Sequence, residues 1–168
     1  IATGYYGASV TTTGGAITVF ATGKATGIEA LSALGNAVVD NASDIQVIGT
    51  VLGADGISAS SVLGNVAVGN TGAIQAMSLG GDVNGIRSYS IAGNVAIENH
   101  GDVMAYSYAG NAIGLYGYSM YGNAAVSNTG SIYAASYDGL ADAIFASGME
   151  VSVANSGALE AIGYTWAA

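Results

Sequence analysis

Residues 65–93 read NVAVGNTGAIQAMSLGGDVNGIRSYSIAG, and the same pattern begins again at Asn94. Three segments in this stretch, which start near Val66, Ile74 and Ile86, alternate apolar or small residues with a second set of residues at every other position. Glycine, threonine, asparagine and aspartate, which favour turns, separate the segments. Because a period of two is typical of β-strands, the stretch predicts three short strands in each copy of the pattern.

Equivalent residues recur along the chain at a nearly constant interval, and they fall into four sets. The sets are Ile17, Ile45, Ile74, Val103, Ile132 and Leu159; Ile28, Ile57, Ile86, Leu115 and Ile144; Val10, Val39, Val68, Ile97, Val126 and Val153; and Asn41, Asn70, Asn99, Asn128 and Asn155. Such a repeat indicates a solenoid in which each copy stacks on the previous one. Three strands per copy predict an all-β parallel β-helix of about six rungs of ~29 residues, with strands about 4.8 Å apart. The asparagines are predicted to form a structural ladder of side-chain amides along the axis.

Composition narrows the classes of protein to which the chain can belong. It has 27 glycines, no proline, no cysteine and a formal net charge of −9, with Lys24 and Arg87 as the only Lys and Arg residues. This charge repels phosphate backbones, so we expect no nucleic-acid partner. No apolar run is long enough for a membrane-spanning helix, so we expect no membrane insertion of this segment. The acidic, cysteine-free composition is typical of bacterial extracellular proteins.

The sequence begins and ends within the repeat. Its first residues, from Ile1, lack the basic and apolar regions of a signal peptide. We therefore expect residues 1–168 to form a single β-solenoid that is a fragment or processed segment of a longer repeat protein.

The form V-x-V-x-N-x-G-x-I-x-A, followed by a second alternating segment, is clearest in residues 65–90 and 94–119. It resembles the passenger region of bacterial autotransporters, and nearly the whole chain can be aligned with that pattern. The resemblance implies a right-handed parallel β-helix, secretion across the outer membrane and display at the cell surface, commonly as an adhesin.

Aromatic residues are concentrated in the second half of the chain. Nine of the eleven tyrosines lie between Tyr89 and Tyr164, mostly at outward or turn positions. Two interpretations are open. Cross-rung ladders of tyrosines would stabilise the sheet by about 0.2–1 kcal/mol per pair. Alternatively, the aromatics form an exposed surface for a carbohydrate, a partner protein or another copy of the chain. The centre of that surface is predicted at Tyr89, Tyr116, Tyr118, Tyr121 and Phe145.

Acidic residues and the single histidine are the remaining candidates for chemistry. Asp40 and Glu98 share an outward column, and Asp44 and Asp102 share a turn column. Paired carboxylates can hydrolyse glycosidic bonds or bind calcium, but solvated charges are the simpler interpretation. His100 is predicted to be an exposed turn residue. We therefore predict no catalytic residue, no metal site and no cofactor.

The leading hypothesis is a structural, non-enzymatic protein that acts as a surface-exposed adhesin or fibre segment. Its partner would be a protein or glycan of a host or neighbouring cell, or another copy of the chain through end-to-end or lateral association. One alternative is an extracellular filament subunit that stacks end to end through uncapped β-edges. Another is a polysaccharide-binding or -cleaving β-helix, which predicts loops inserted between rungs. The central four copies keep a constant spacing without such insertions.

Overall fold

The computed structural model describes residues 1–164, which form β-strands joined by short turns. In chain order the strands are β1 (Ala2–Gly4), β2 (Ala8–Thr12), β3 (Ala16–Ala21), β4 (Ala25–Ser32), β5 (Ala37–Asn41), β6 (Asp44–Gly49), β7 (Ala54–Ser61), β8 (Val66–Asn70), β9 (Ile74–Ser78), β10 (Val83–Ser90), β11 (Val95–Asn99), β12 (Val103–Ser107), β13 (Ala112–Ser119), β14 (Ala124–Asn128), β15 (Ile132–Ser136), β16 (Ala141–Ser147), β17 (Val151–Asn155) and β18 (Leu159–Gly163). The described residues contain no helix.

Every third strand joins the same sheet, so the described strands form three six-stranded parallel sheets. Sheet 1 has the order β1-β4-β7-β10-β13-β16, sheet 2 the order β2-β5-β8-β11-β14-β17, and sheet 3 the order β3-β6-β9-β12-β15-β18. The chain visits each sheet once per turn and then rises by one strand. This arrangement confirms the predicted fold class, a parallel β-solenoid with three strands per rung. The right hand of the coil stays a prediction.

The interior is built from files of equivalent aliphatic residues. Ile57, Ile86 and Leu115 are direct partners on neighbouring strands, and all three are fully buried. Each such side chain stabilises the fold by about 1.5–3 kcal/mol relative to remaining in water. Since a strand is only a few residues long, this burial is achieved by stacking like on like.

Sheet 1 has one feature that strict alternation did not predict. In β10 both Val83 and Ile86 are buried, and the additional residue between them is Gly85. A Cβ atom at Gly85 would overlap the Val103 side chain and lie 2.6 Å from the carbonyl oxygen of Gly114. Because glycine has no side chain, the consecutive residues Gly85 and Ile86 can both be buried. The strand therefore begins at Val83, three residues before the segment predicted near Ile86.

The asparagines of the fourth repeated set form a continuous file of hydrogen bonds. Asn70 Nδ2 donates to Asn99 Oδ1 at 2.7 Å, and Asn99 Nδ2 donates to Asn128 Oδ1 at 2.7 Å. Asn99 Nδ2 also donates to the carbonyl oxygen of Gly101 at 2.7 Å. The same bonds extend the file to Asn41 and Asn155, and Thr12 Oγ1 donates to Asn41 Oδ1 at its first rung.

A second polar file runs along a corner of the solenoid, where prediction from sequence had found only turns. Asn36, Asn65 and Asn94 each accept, through Oδ1, a hydrogen bond from the backbone N–H of the residue 29 positions later. The distances are 2.8–3.0 Å. These side chains therefore join rungs at the surface, as the buried asparagines do inside.

Replacing Asn99 with Ala is expected to lower the free energy of unfolding by about 3 kcal/mol. The substitution leaves the Asn70 amide without its acceptor and the Asn128 oxygen without its donor, and buried groups without partners cost about 1–3 kcal/mol each. Equilibrium denaturation followed by circular dichroism measures the change.

Ser88→Ala is the matched control. Ser88 is fully buried, its Oγ has no hydrogen-bond partner among the described residues, and the equivalent residue in the preceding rung is Ala59. We expect this variant to be as stable as the native chain or about 1 kcal/mol more stable. Equal losses in both variants would contradict a specific role for the asparagine file.

Candidate functional site: the aromatic face

The outward side of sheet 1, here called face 1, collects four of the five aromatic residues predicted as a binding surface. Tyr116 is the direct partner of Arg87 on β10 and of Phe145 on β16. Two positions further along the strands, Tyr89 and Tyr118 are partners. Strand pairing therefore places these residues in two adjacent columns.

The four rings pack on one another, and we call Tyr89, Tyr116, Tyr118 and Phe145 the ring cluster. The Tyr89 and Tyr118 ring centroids are 5.4 Å apart with planes at 4°, and those of Tyr116 and Phe145 are 5.0 Å apart at 8°. Tyr116 also lies 6.5 Å from Tyr118 at 13°. The two distances between rings on neighbouring strands, 5.4 and 5.0 Å, are close to the spacing of strands in a sheet, about 4.8 Å, so the rungs set this stacking.

Stacking determines which parts of the rings a partner can contact. Neighbouring rings cover much of one another's faces, and the three tyrosines are only partly exposed. The cluster therefore offers mainly ring edges and phenol hydroxyls, with Phe145 at 37% exposure as its most accessible member. The rings are stacked across rungs as the ladder interpretation predicted. Their accessible edges and hydroxyls also form an amphipathic surface that could bind a partner.

Tyr121, the fifth predicted residue, lies outside the ring cluster on the turn after β13, and it is 67% exposed. Its neighbour Met120 and the turn residues Val62 and Leu63 are exposed as well. Together they form an apolar rim along the edge of face 1. The prediction grouped Tyr121 with the other rings, whereas the structure places it on this rim.

Arg87 is the cation of face 1. No carboxylate of residues 1–164 lies within ion-pair distance of its guanidinium. The other basic side chain, Lys24, is engaged, because its Nζ lies 2.6 Å from Oδ2 of the buried Asp55. Asn84 Nδ2 donates to the second oxygen of Asp55 at 2.7 Å. This ion pair between an exposed lysine and a buried aspartate was missed from sequence, since it belongs to none of the repeated sets.

Tyr116 has an environment unlike that of a free phenol. Burial raises the pKa of Tyr116 above its ordinary value of 10.0, the positive charge of Arg87 opposes that shift, and Tyr118 and Tyr89 reinforce it. The hydroxyl is therefore neutral at physiological pH and can both donate and accept a hydrogen bond.

The two turn aspartates considered for glycoside hydrolysis or calcium binding have structural hydrogen bonds. Asp44 Oδ1 accepts from the backbone N–H of Ala73, and Asp102 Oδ1 accepts from that of Ser131, both at 2.9 Å. They act like the corner asparagines in joining one rung to the next.

The other acidic pair, Asp40 and Glu98, faces outward from sheet 2 with Gly69 between them. His100 occupies the predicted exposed turn, with Nε2 3.1 Å from Glu98 Oε1 and Nδ1 2.8 Å from Thr129 Oγ1. The side chains of His100, Glu98 and Thr129 are all exposed, so water competes for these two hydrogen bonds.

Within the part of the chain that the structure covers, no group of three His, Asp or Glu side chains is placed to hold a metal ion. The same residues include no helix long and apolar enough to cross a membrane. Comparison with protein families, curated proteins and solved structures found no match to this chain. The functional assignment therefore depends on the geometry of the solenoid and its faces.

The Tyr116 phenol is expected to ionise with a midpoint above pH 10, because burial favours its neutral form. Replacing Arg87 with Ala should raise the midpoint further, since an opposing positive charge is removed. NMR titration of the chain carrying ¹³Cζ-labelled tyrosine gives both values.

The folded-state pKa lies above the unfolded value, so this phenol contributes stability below about pH 10 that is lost as the pH rises through the folded pKa. Tyr116→Phe should remove that loss. A midpoint at or below 10, or a lower midpoint in Arg87→Ala, would contradict the burial of the phenol beside Arg87.

Proposed function

We propose that this chain is a segment of a bacterial extracellular or cell-surface β-solenoid that serves as an adhesin or fibre without catalysis. The ring cluster of face 1, with Arg87 beside it, is the contact surface. Its partner is a protein or glycan of another surface or a further copy of the chain. The ring cluster is the observation that carries the proposal.

The shape of the solenoid supports a role in display. From β4 to β15 the rungs follow one another at 29 residues, and short turns connect the strands. Ligand sites for small molecules are usually concave and enclose most of the ligand. Here the depressions on the faces are shallow and open, which favours contact with a large surface, and the resemblance to autotransporter passengers points to the same class.

The chemistry of face 1 supports protein or glycan recognition. Tyrosine and arginine are enriched among residues that dominate binding energy, because they combine apolar area with hydrogen-bonding groups. Here Tyr89, Tyr116 and Tyr118 supply three phenols beside one guanidinium. Cross-rung stacking holds these rings in place, so little side-chain entropy remains to be lost on binding.

Replacing Tyr116 and Tyr118 together with Ser is expected to reduce capture of chain-coated beads by at least about tenfold, which corresponds to about 1.4 kcal/mol. Three probes cover the partner classes: cultured epithelial cells, a printed glycan array, and beads that carry the same chain. The physical reason is the loss of apolar area and two hydroxyls from the centre of face 1.

Tyr106→Ser is the matched control, because Tyr106 is a half-exposed outward tyrosine on sheet 3. It should leave capture unchanged. Circular dichroism and thermal denaturation verify that each variant folds. Native-like capture by the double variant would remove face 1 as the contact surface, and absence of capture by the native chain on all three probes would remove the proposed function.

A self-assembling filament is the second candidate, because the backbone edges of parallel strands in two copies can pair with each other. Electron microscopy of the purified chain should then show filaments; discrete rods of about 30 Å, six strand spacings long, would contradict it.

A further inference from the structure

The outward side of sheet 2, here called face 2, is recessed where face 1 is raised. One of its columns contains Ala67, Ala96 and Ala125, and the adjacent column contains Gly69. Together these residues form the floor of a shallow depression of about 350 Å³. The small side chains leave room for larger groups from a partner.

Charge also differs between the two faces. On face 2, Asp40 lies one rung before Gly69 and Glu98 one rung after it, so two carboxylates flank the smallest residue of the column. On face 1, Arg87 projects beside the ring cluster without a carboxylate partner among the described residues. A guanidinium placed over Gly69 would reach both acidic side chains and bond carboxylate oxygens through several N–H donors.

We infer that face 1 of one copy docks on face 2 of a second copy, with Arg87 between Asp40 and Glu98 and with Tyr89 and Tyr118 of the ring cluster over the alanine floor. This inference depends on the proposed function and names the partner of its contact surface. The rungs of both copies have the same axial spacing, so columns that align at one rung stay aligned at the next. On each face the columns concerned are two residues apart along the strand.

The size of the faces determines how strong this contact can be. Six rungs at about 4.8 Å and strands of five residues at about 3.3 Å give a face of about 500 Å². A stable protein–protein interface buries about 800 Å² on each partner. Single contacts are therefore weak, and many copies fixed on one surface or bead bind through the sum of their contacts.

The contact joins two different faces, so each copy keeps one free face of each kind. Such head-to-tail interfaces produce rings or open chains rather than isolated dimers. Native chains should accordingly form species larger than dimers as their concentration rises. A contact between two copies of face 1 would instead stop at the dimer.

Charge reversal tests the pairing. One variant carries Arg87→Glu, and the other carries Asp40→Lys with Glu98→Lys. Sedimentation velocity at concentrations on the order of 100 µM, the range for weak interfaces, compares each variant alone with their equimolar mixture. Each variant alone should remain monomeric, because like charges meet, and the mixture should associate, because opposite charges meet at both junctions. Gln75→Lys on sheet 3 is the control and should associate like the native chain.

Several results would overturn the inference, provided that circular dichroism shows folded variants. They are native-like association of either charge-reversed variant alone, a mixture that stays monomeric, or native chains that do not associate at any concentration. If those native chains still coat beads that adhere to cells or glycans, self-association is removed and the adhesin function stands. Beads that adhere to no probe would remove both.

Discussion

Each rung of this protein is held by the equivalent residues of its neighbours, because parallel strands pair in register about 4.8 Å apart along the axis. In the central rungs the pairing joins residues 29 positions apart, so a side chain packs mainly against its own equivalents above and below. Inward residues must therefore match one another in size and polarity. The asparagine file is the strictest case, since each buried amide needs a donor on one side and an acceptor on the other.

Outward positions are free of this constraint, and the faces differ accordingly. The column that holds Glu29 and Ser58 in the early rungs holds Arg87, Tyr116 and Phe145 later, while the backbone beneath keeps the same pairing. Sheet 2 keeps one outward column of alanines, Ala67, Ala96 and Ala125, over neighbouring rungs. A rigid core with variable sides lets one scaffold present raised and recessed surfaces at a common spacing, which is the basis of the proposed contacts.

Prediction from sequence was most successful where residues repeat. Alternation of residues within a repeat of about 29 residues was enough to predict three sheets, the asparagine file and the files through Ile74 and Ile86. The change of phase at Gly85 was missed, because alternation alone does not show that two consecutive residues, Gly85 and Ile86, are both buried. The Lys24–Asp55 pair was missed because it occurs once. Residue spacing is the same for either hand of the coil, so the prediction of a right-handed coil came only from the resemblance to autotransporter passengers.

The candidate site was predictable in part for the same reason. Register brought Tyr89, Tyr116, Tyr118 and Phe145 into adjacent columns, as their spacing indicated. Ring orientation depends on how side chains pack, and sequence spacing does not contain it. The hydrogen bonds of Asp44 and Asp102 could have been found by comparing them with Asn36 and Asn65, which also stand where a strand begins and also bind the next rung.

The in-register stacking of rungs can be measured directly, because the chain has no cysteine of its own. Ala67 and Ala96 are direct partners on neighbouring strands, so Ala67→Cys with Ala96→Cys places two thiols one strand spacing apart, within disulfide reach. Ala67→Cys with Ala125→Cys separates them by two spacings, about 10 Å, which no disulfide spans. Mild oxidation followed by mass spectrometry should show an intramolecular disulfide in the first variant alone. A folded first variant that keeps both thiols free, or equal bridging in the second, would contradict the stacked register.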